Sequence, residues 1–128
     1  MGDRVIMQIV QRNKLVGDTF GPLIYGHWAG HSTPEIVEAL ALKMADRLGD
    51  VSYQSARLVQ MILDDGGGFM QRDNCGIGLY NATAVATAKD SHGDAGVVII
   101  DADTFKCECF GGYLRVGDDG RPFNPERG

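Results

Sequence analysis

The sequence predicts an α+β domain, with an antiparallel or mixed sheet of about four to five strands and a pair of consecutive helices packed on one face. Three observations support this class. The stretch Arg4–Gln11 is rich in β-branched residues, lacks a helix cap and precedes turn residues, which is typical of a strand. Two helical stretches follow at residues 33–48 and 50–65. The apolar run Val97–Ile100, a polar turn and the alternating stretch Phe105–Phe110 then indicate a hairpin.

The first helix is predicted to run from Thr33 to Leu48. Ser32-Thr33-Pro34-Glu35 has the pattern of a capping box with proline in the first turn, and apolar residues then recur at helical spacing. Asp50 or Ser52 is the predicted cap of the second helix, which we expect to end before three glycines. Its predicted apolar face consists of Ala56, Val59, Ile62 and Leu63.

Two further stretches predict strands. In Phe20–Tyr25, Pro22 marks a sheet edge or a bulge, because proline has no N–H for the ladder. Ile77–Ala88 fits either a strand with one bulge or a strand that leads to a turn. Beyond Val116 the charged tail is expected to fray or to pack on a neighbour.

Length, charge and cysteine usage bound the class of protein. The 128 residues predict a single domain over residues 1–128, with an ordered core over 3–116 and a flexible tail over 117–128. A net charge of −5 argues against binding long nucleic acid, although it permits one small nucleotide. Three cysteines form no disulfide framework, and we find neither a signal segment nor an apolar run of about 18 residues. The sequence therefore predicts a cytoplasmic protein without membrane contact.

The candidate site lies where the second strand meets the first helix. The predicted ligand-binding residues are Tyr25, His27, Trp28, His31, Ser32 and Thr33. Free N–H groups and the dipole at the helix N-terminus favour an anion, so we expect His27 to donate to it, with the first helical amides completing the cradle. Tyr25 or Trp28 would stack on a base. The structural alternative is that His27 binds a backbone carbonyl and Trp28 closes the core.

The loop Asp90–Gly96 offers a different chemistry. Its plain interpretation is a polar hairpin loop. In the functional alternative, His92 and Asp94 join His27 as the acid/base residues of a hydrolase, or His27, His31 and His92 hold a metal ion. Because His27 and His31 lie in a loop, they lack the helical geometry that brings two histidines to one metal.

Other reactive residues carry weaker signals. Cys75 is the cysteine in a loop context and hence the candidate nucleophile, whereas Cys107 and Cys109 are predicted to pack in a strand. Two glycine clusters occur, Gly66-Gly67-Gly68 and Gly76-Ile77-Gly78, and neither precedes a helix at the spacing of a phosphate-binding loop. Lys43 and Arg57 are interpreted as solvated cations, and Arg57 enters a site only if its helix lines a cleft.

The motif Tyr25-Gly26-His27-Trp28-Ala29-Gly30, the capped helix after it, Gly76-Ile77-Gly78 and the strand ending at Asp101 resemble small uncharacterised proteins of phage and prophage genomes. Those proteins carry a Tyr-x-His-Trp-x-Gly core, a helical pair and a late Val/Ile-rich strand. The resemblance covers about Ile24–Phe110, and this chain departs from it in His31 and in the loop around His92. It implies no activity, but it implies an interaction or sequestering role, as in oligomeric proteins that bind nucleotide-derived immune signals.

The sequence thus predicts a homo-oligomeric, non-enzymatic protein that sequesters a small anionic ligand, such as one derived from a nucleotide, to blunt host defence. No cofactor is expected. Two alternatives stay open: a metal- or His/Asp-dependent hydrolase, and a protein–protein inhibitor whose glycine-rich loop and tail contact a host protein.

Overall fold

The computed structural model describes residues 2–66 and 76–127. Within them the chain forms a six-stranded mixed sheet, two α-helices and a separate two-stranded ribbon, which confirms the predicted α+β class with slightly more strands. The strands of the main sheet are β1 (Val5–Gln11), β2 (Thr19–Phe20), β3 (Leu23–Gly26), β4 (Ile77–Tyr80), β5 (Gly96–Asp101) and β6 (Cys107–Phe110). The helices are α1 (Thr33–Lys43) and α2 (Val51–Met61).

The sheet has the order β4-β3-β1-β5-β6, and β2 also pairs with β1. Strands β1 and β5 run parallel, and the other paired strands are antiparallel. Both central strands are nearly continuous apolar runs, as expected for strands covered on both faces. In register, Val5 lies opposite Gly26 of β3 and Gly96 of β5. The end of β3 and the starts of β1 and β5 therefore meet at one end of the sheet.

Alternate residues of β1 enter two separate cores. Met7 packs in the larger cluster with Leu40 of α1 and Leu58 of α2. Ile6 points to the opposite face of the sheet, where it packs in a smaller cluster with Ala86 from the irregular segment after β4. The period of two along a strand thus divides one buried run between two layers.

Gln8 fastens that irregular segment to the sheet. Its side chain is fully buried, its amide donates to the carbonyl oxygens of Gly21 and Ala84 at 3.0 Å each, and its oxygen accepts from the Ala86 amide at 2.8 Å. These backbone groups lie outside the strands, so a side chain supplies the partners that a ladder would otherwise supply.

The first helix begins where the sequence predicts but ends at Lys43 rather than Leu48. The capping-box prediction is wrong, because the Ser32 backbone is itself helical (φ −89°, ψ −3°) and its side chain makes no capping bond. After α1 the chain turns, and the Gly49 amide donates to the Ala102 carbonyl oxygen at 2.9 Å. The helical periodicity therefore continues beyond the residues that are helical.

The second helix is capped by Asp50, one of the two predicted caps, through a 3.1 Å bond from the Tyr53 amide. Its buried face differs from the prediction, because Ala56 is exposed and Leu58 is fully buried. The buried face also carries Gln54, whose amide donates to the carbonyl oxygens at Arg47 and Ala102. Because Gln54 is polar but buried, the spacing of apolar residues alone does not predict the buried face of α2. A π-helical turn, Ile62–Gly66, continues α2.

The predicted strand Phe20–Tyr25 is interrupted at Gly21-Pro22, which separates β2 from β3. A Cβ atom at Gly21 would lie 2.8 Å from the Ile9 carbonyl oxygen, so this close approach requires glycine. Downstream, β4 leads into an irregular segment and the 3₁₀ turn Ala88–Asp90, the second of the two alternatives for that stretch.

The C-terminal segment, which the sequence predicts either to fray or to pack on a neighbour beyond Val116, forms a hairpin of β7 (Arg115–Val116) and β8 (Pro122–Phe123). The Cys107 amide of β6 donates to the Gly120 carbonyl oxygen at 2.7 Å, and Pro122 is buried. The hairpin therefore packs on the edge of the main sheet. Within the described residues, no helix combines the length and apolarity needed to cross a lipid bilayer.

Candidate functional site

The candidate residues gather at the sheet end where β3 stops and β1 and β5 start. The segment before β1 supplies Asp3 and Arg4, and the loop before β5 supplies His92 and Asp94. The pairing of β1 with both neighbours brings these segments to the residues that follow β3. Three chain segments that are remote in sequence thus surround Tyr25, at the end of β3.

Four rings, which we call the ring cluster, lie together here: Tyr25, His27, Trp28 and His92. The Tyr25 and His92 ring centroids are 4.8 Å apart, and the His27 and Trp28 rings meet edge to face at 4.9 Å. These separations are those of interacting aromatic pairs. The structure therefore joins the two histidine loops through Tyr25.

His27 is held by a hydrogen bond between the Tyr25 hydroxyl and His27 Nδ1, at 2.7 Å. Burial raises the pKa of Tyr25, and the hydrogen bond to Nδ1 fixes the position of its hydroxyl beside the His27 ring. Gly2 packs on the same ring, because a Cβ atom there would lie 2.7 Å from Nε2. The N-terminal residues thus form one wall of the site.

His31 belongs to a second group, built on the Asp3 carboxylate. Asp3 Oδ2 accepts from the His31 amide at 2.7 Å and lies 2.9 Å from His31 Nδ1, while Oδ1 accepts from the Tyr113 hydroxyl at 2.6 Å. Asp3 and Tyr113 were not predicted, because they are 110 positions apart and neither lies in a recognisable motif. His27 and His31 are thereby held by different partners.

Asp94 is engaged by Arg4 and forms no hydrogen bond to a histidine within the described residues. Its Oδ2 accepts from Arg4 Nε at 2.8 Å and from the Arg4 amide at 3.0 Å. These bonds, led by the one from the guanidinium group, hold the pKa of Asp94 below its usual value. The acid/base role of His27, His92 and Asp94 thus has no direct hydrogen bond to support it among the described residues, and it stays a prediction.

The metal alternative also lacks a ligand set. Over residues 2–66 and 76–127, no three His, Cys, Asp or Glu side chains are grouped closely enough to hold a metal ion. His92 packs against Tyr25 with the two rings tilted by 55°, whereas His31 bonds to Asp3. Cys75, the candidate nucleophile, lies outside the described residues.

The start of α1 contributes less to a ligand site than the sequence suggests. The Thr33 hydroxyl donates to the Ala29 carbonyl oxygen at 3.0 Å, and its amide donates to the Gly30 carbonyl oxygen at 3.2 Å. Thr33 is fully buried, and Pro34 has no N–H. Thr33 therefore serves the scaffold, whereas the other two predicted binding residues of this segment reach the surface: His31 is exposed and Ser32 is partly exposed.

A cavity of about 460 Å³ adjoins His92. This volume suits a small molecule. Ile6 and Leu23 supply apolar lining and Lys89 a positive charge, and the remaining lining residues are Tyr80, Asn81, Asp90, Ser91 and His92. A larger cavity, about 720 Å³ between α1 and the C-terminal hairpin, does not reach the ring cluster. The smaller cavity is thus the one that continues the candidate site.

No protein-family model matches the chain, and neither a curated protein nor a solved structure does. The resemblance to phage and prophage proteins therefore stays a prediction, and the candidate site rests on its geometry.

Proposed function

We propose that this protein binds a small planar anion, such as a nucleotide-derived ligand, at the ring cluster and the adjoining cavity, and sequesters it unchanged. The observation that supports this proposal is the convergence of Tyr25, His27, Trp28 and His92 beside a cavity with a lysine in its wall. Stacking rings with a nearby cation are the chemistry that recognises a base and its phosphate.

Each residue has a distinct role in this proposal. His92, which is exposed and packs against Tyr25 at a ring tilt of 55°, offers a ring face to the base. Ile6 and Leu23 supply apolar contact, and Lys89 attracts the phosphate. A sequestering role in phage–host conflict, with several copies of the chain assembled together in the cytoplasm, follows from the resemblance and belongs to the proposal as well.

The test is isothermal titration calorimetry with a panel of linear and cyclic adenine and guanine nucleotides. A panel member should bind saturably, and His92→Ala and Lys89→Gln should each weaken binding by about tenfold, as expected for the loss of one stacking or charged contact. Lys106→Gln is the matched control, because Lys106 is also exposed but lines a different cavity. Absence of binding across the panel, or equal affinity in His92→Ala, would refute the proposal.

The hydrolase alternative is favoured by one observation, the Asp3–His31 pair. A carboxylate on Nδ1 orients an imidazole as a general base, and the His31 side chain is 49% exposed. Incubation of the same nucleotides with the protein, followed by chromatography, tests it. Turnover that falls at least about tenfold in Asp3→Asn would support a hydrolase. Recovery of every nucleotide intact would exclude hydrolysis of this substrate class.

The protein–protein inhibitor alternative assigned its contact surface to the glycine-rich loop and the tail. Residues 67–75 of that loop lie outside the described residues, and residues 115–123 of the tail form the β7–β8 hairpin. No contact in the structure favours this alternative over ligand binding.

A further inference from the structure

A cleft between α1 and α2 gathers three cationic side chains, Lys43, Arg47 and Arg57, in a chain whose net charge is −5. The cleft has a volume of about 510 Å³ and lies on the helical face of the sheet, away from the ring cluster's cavity on the face of Ile6. From the sequence, Arg57 enters a site only if its helix lines a cleft, and α2 does line one.

Tyr53 positions both guanidinium groups. Arg47 Cζ lies 4.0 Å from the Tyr53 ring centroid and Arg57 Cζ lies 4.9 Å from it. Arg57 also donates to the Tyr53 hydroxyl at 2.7 Å and to Gln60 Oε1 at 2.8 Å. Side chains that are already ordered lose little rotamer entropy when a ligand arrives. The two guanidinium groups are thus pre-organised around one ring.

The three cations of the cleft face three carboxylates, because Asp46 and Asp64 also line it and Asp50 Oδ2 lies 3.6 Å from Arg47 Nη1. The case for a compact anion therefore rests on the geometry of the guanidinium groups and not on an excess of positive charge. A guanidinium group has five N–H donors, and the bonds from Arg57 to Tyr53 and Gln60 engage one on each terminal nitrogen. The remaining N–H donors of the guanidinium group lie in one plane, an arrangement that matches the oxygens of a phosphate, which Arg recognises in a bidentate manner.

We propose that this cleft is a second binding site, for a phosphate-class oxyanion such as pyrophosphate or the diphosphate of a nucleotide. Arg47 and Arg57 bind its oxygens, Lys43 adds a point charge, and Tyr53 is a positioning residue. The site is independent of the ring cluster. Its lining offers guanidinium donors, whereas the ring-cluster site offers a stacking surface beside a single lysine.

Calorimetric titration of the full chain with inorganic pyrophosphate at low ionic strength tests this site, since the probe has no base to stack. We expect saturable binding with one pyrophosphate per chain, weakened at least about tenfold by Arg57→Gln. Arg57→Lys should weaken it as well, because the charge remains but the fork is lost. Tyr53→Phe keeps the ring but removes the hydroxyl, so its affinity should fall between those of the wild type and Arg57→Gln.

Two controls separate specific binding from general electrostatics and from the proposed function. Arg121→Gln removes a cation outside the cleft and should leave the affinity unchanged. The His92→Ala variant should also bind pyrophosphate with the wild-type affinity, even if this substitution abolishes nucleotide binding at the ring cluster. No saturable heat with the wild type, an equal loss in Arg121→Gln, or unchanged binding by Arg57→Gln and Arg57→Lys with a wild-type melting temperature would each overturn the proposal.

Discussion

Replacing Gln8 with leucine should lower the free energy of unfolding by about 3 kcal/mol. The substitution nearly preserves volume but removes three hydrogen bonds, two of them to the buried backbone groups at Gly21 and Ala86. Each buried group left without a partner costs about 1–3 kcal/mol, whereas the Ala84 carbonyl, on an exposed residue, can turn to water. The apolar surface gained by leucine offsets part of the total.

Urea unfolding followed by Trp28 fluorescence measures this change, and hydrogen exchange at the Ala86 amide reports it locally. Gln11→Leu is the control, because Gln11 ends the same strand and makes only an exposed 3.4 Å bond; its cost should stay within about 0.5 kcal/mol. A loss below about 1 kcal/mol in Gln8→Leu, with the Ala86 amide still protected, would show that these bonds do not fasten the segment to the sheet.

Three further predictions concern the backbone, charge and thiols. Gly96→Ala should lower the free energy of unfolding by more than about 3 kcal/mol, since the φ of Gly96 is +99° and a Cβ atom there would lie 2.4 Å from a carbonyl oxygen of β6. Gly93→Ala, at φ +90° with open space around it, should lower it by about 1 kcal/mol. Thermal unfolding compares the two variants. The pKa of Asp94 is lowered in the folded state, so its stabilisation is present above about pH 4 and is lost as the pH falls through the folded pKa; in urea unfolding at different pH values, Asp94→Asn should weaken that acid dependence, and an unchanged profile would contradict the reasoning. Burial raises the pKa values of Cys107 and Cys109 to about 12, so iodoacetamide at pH 8 should leave both unmodified in the native protein, as mass spectrometry can verify, and rapid native labelling would refute it.

Local patterns predicted those elements whose stability depends on near neighbours. The hairpin of β5 and β6 was predicted from an apolar run, a polar turn and strict alternation, and the structure confirms its facing: Cys107 is buried and Glu108 is exposed. The Asp50 cap of α2 follows from residues within one helical turn, and α1 begins with proline in its first turn, as predicted, although Ser32 makes no capping bond. The end of α1 at Lys43 was not predicted, because the apolar periodicity continues to Leu48.

The residues of the candidate site also divide into those that the sequence predicts and those that it misses. Tyr25, His27 and Trp28 were predicted because they are adjacent in sequence at a strand end. Asp3 was missed because its partners are 28 and 110 positions away, and a pattern within a short window contains no information about them.

The sequence by itself determined the α+β class, the two helices and the segment that carries the histidines, because periodicity, caps and turn residues act over a few positions. The contact of Arg57 with Tyr53 is local as well, because the two residues are four positions apart on α2. Only the tertiary structure decided which distant side chains meet: His92 with Tyr25, His31 with Asp3, and Arg4 with Asp94. These contacts follow from the pairing of β1 with β3 and β5, which brings distant segments to one end of the sheet, and no local propensity encodes that pairing.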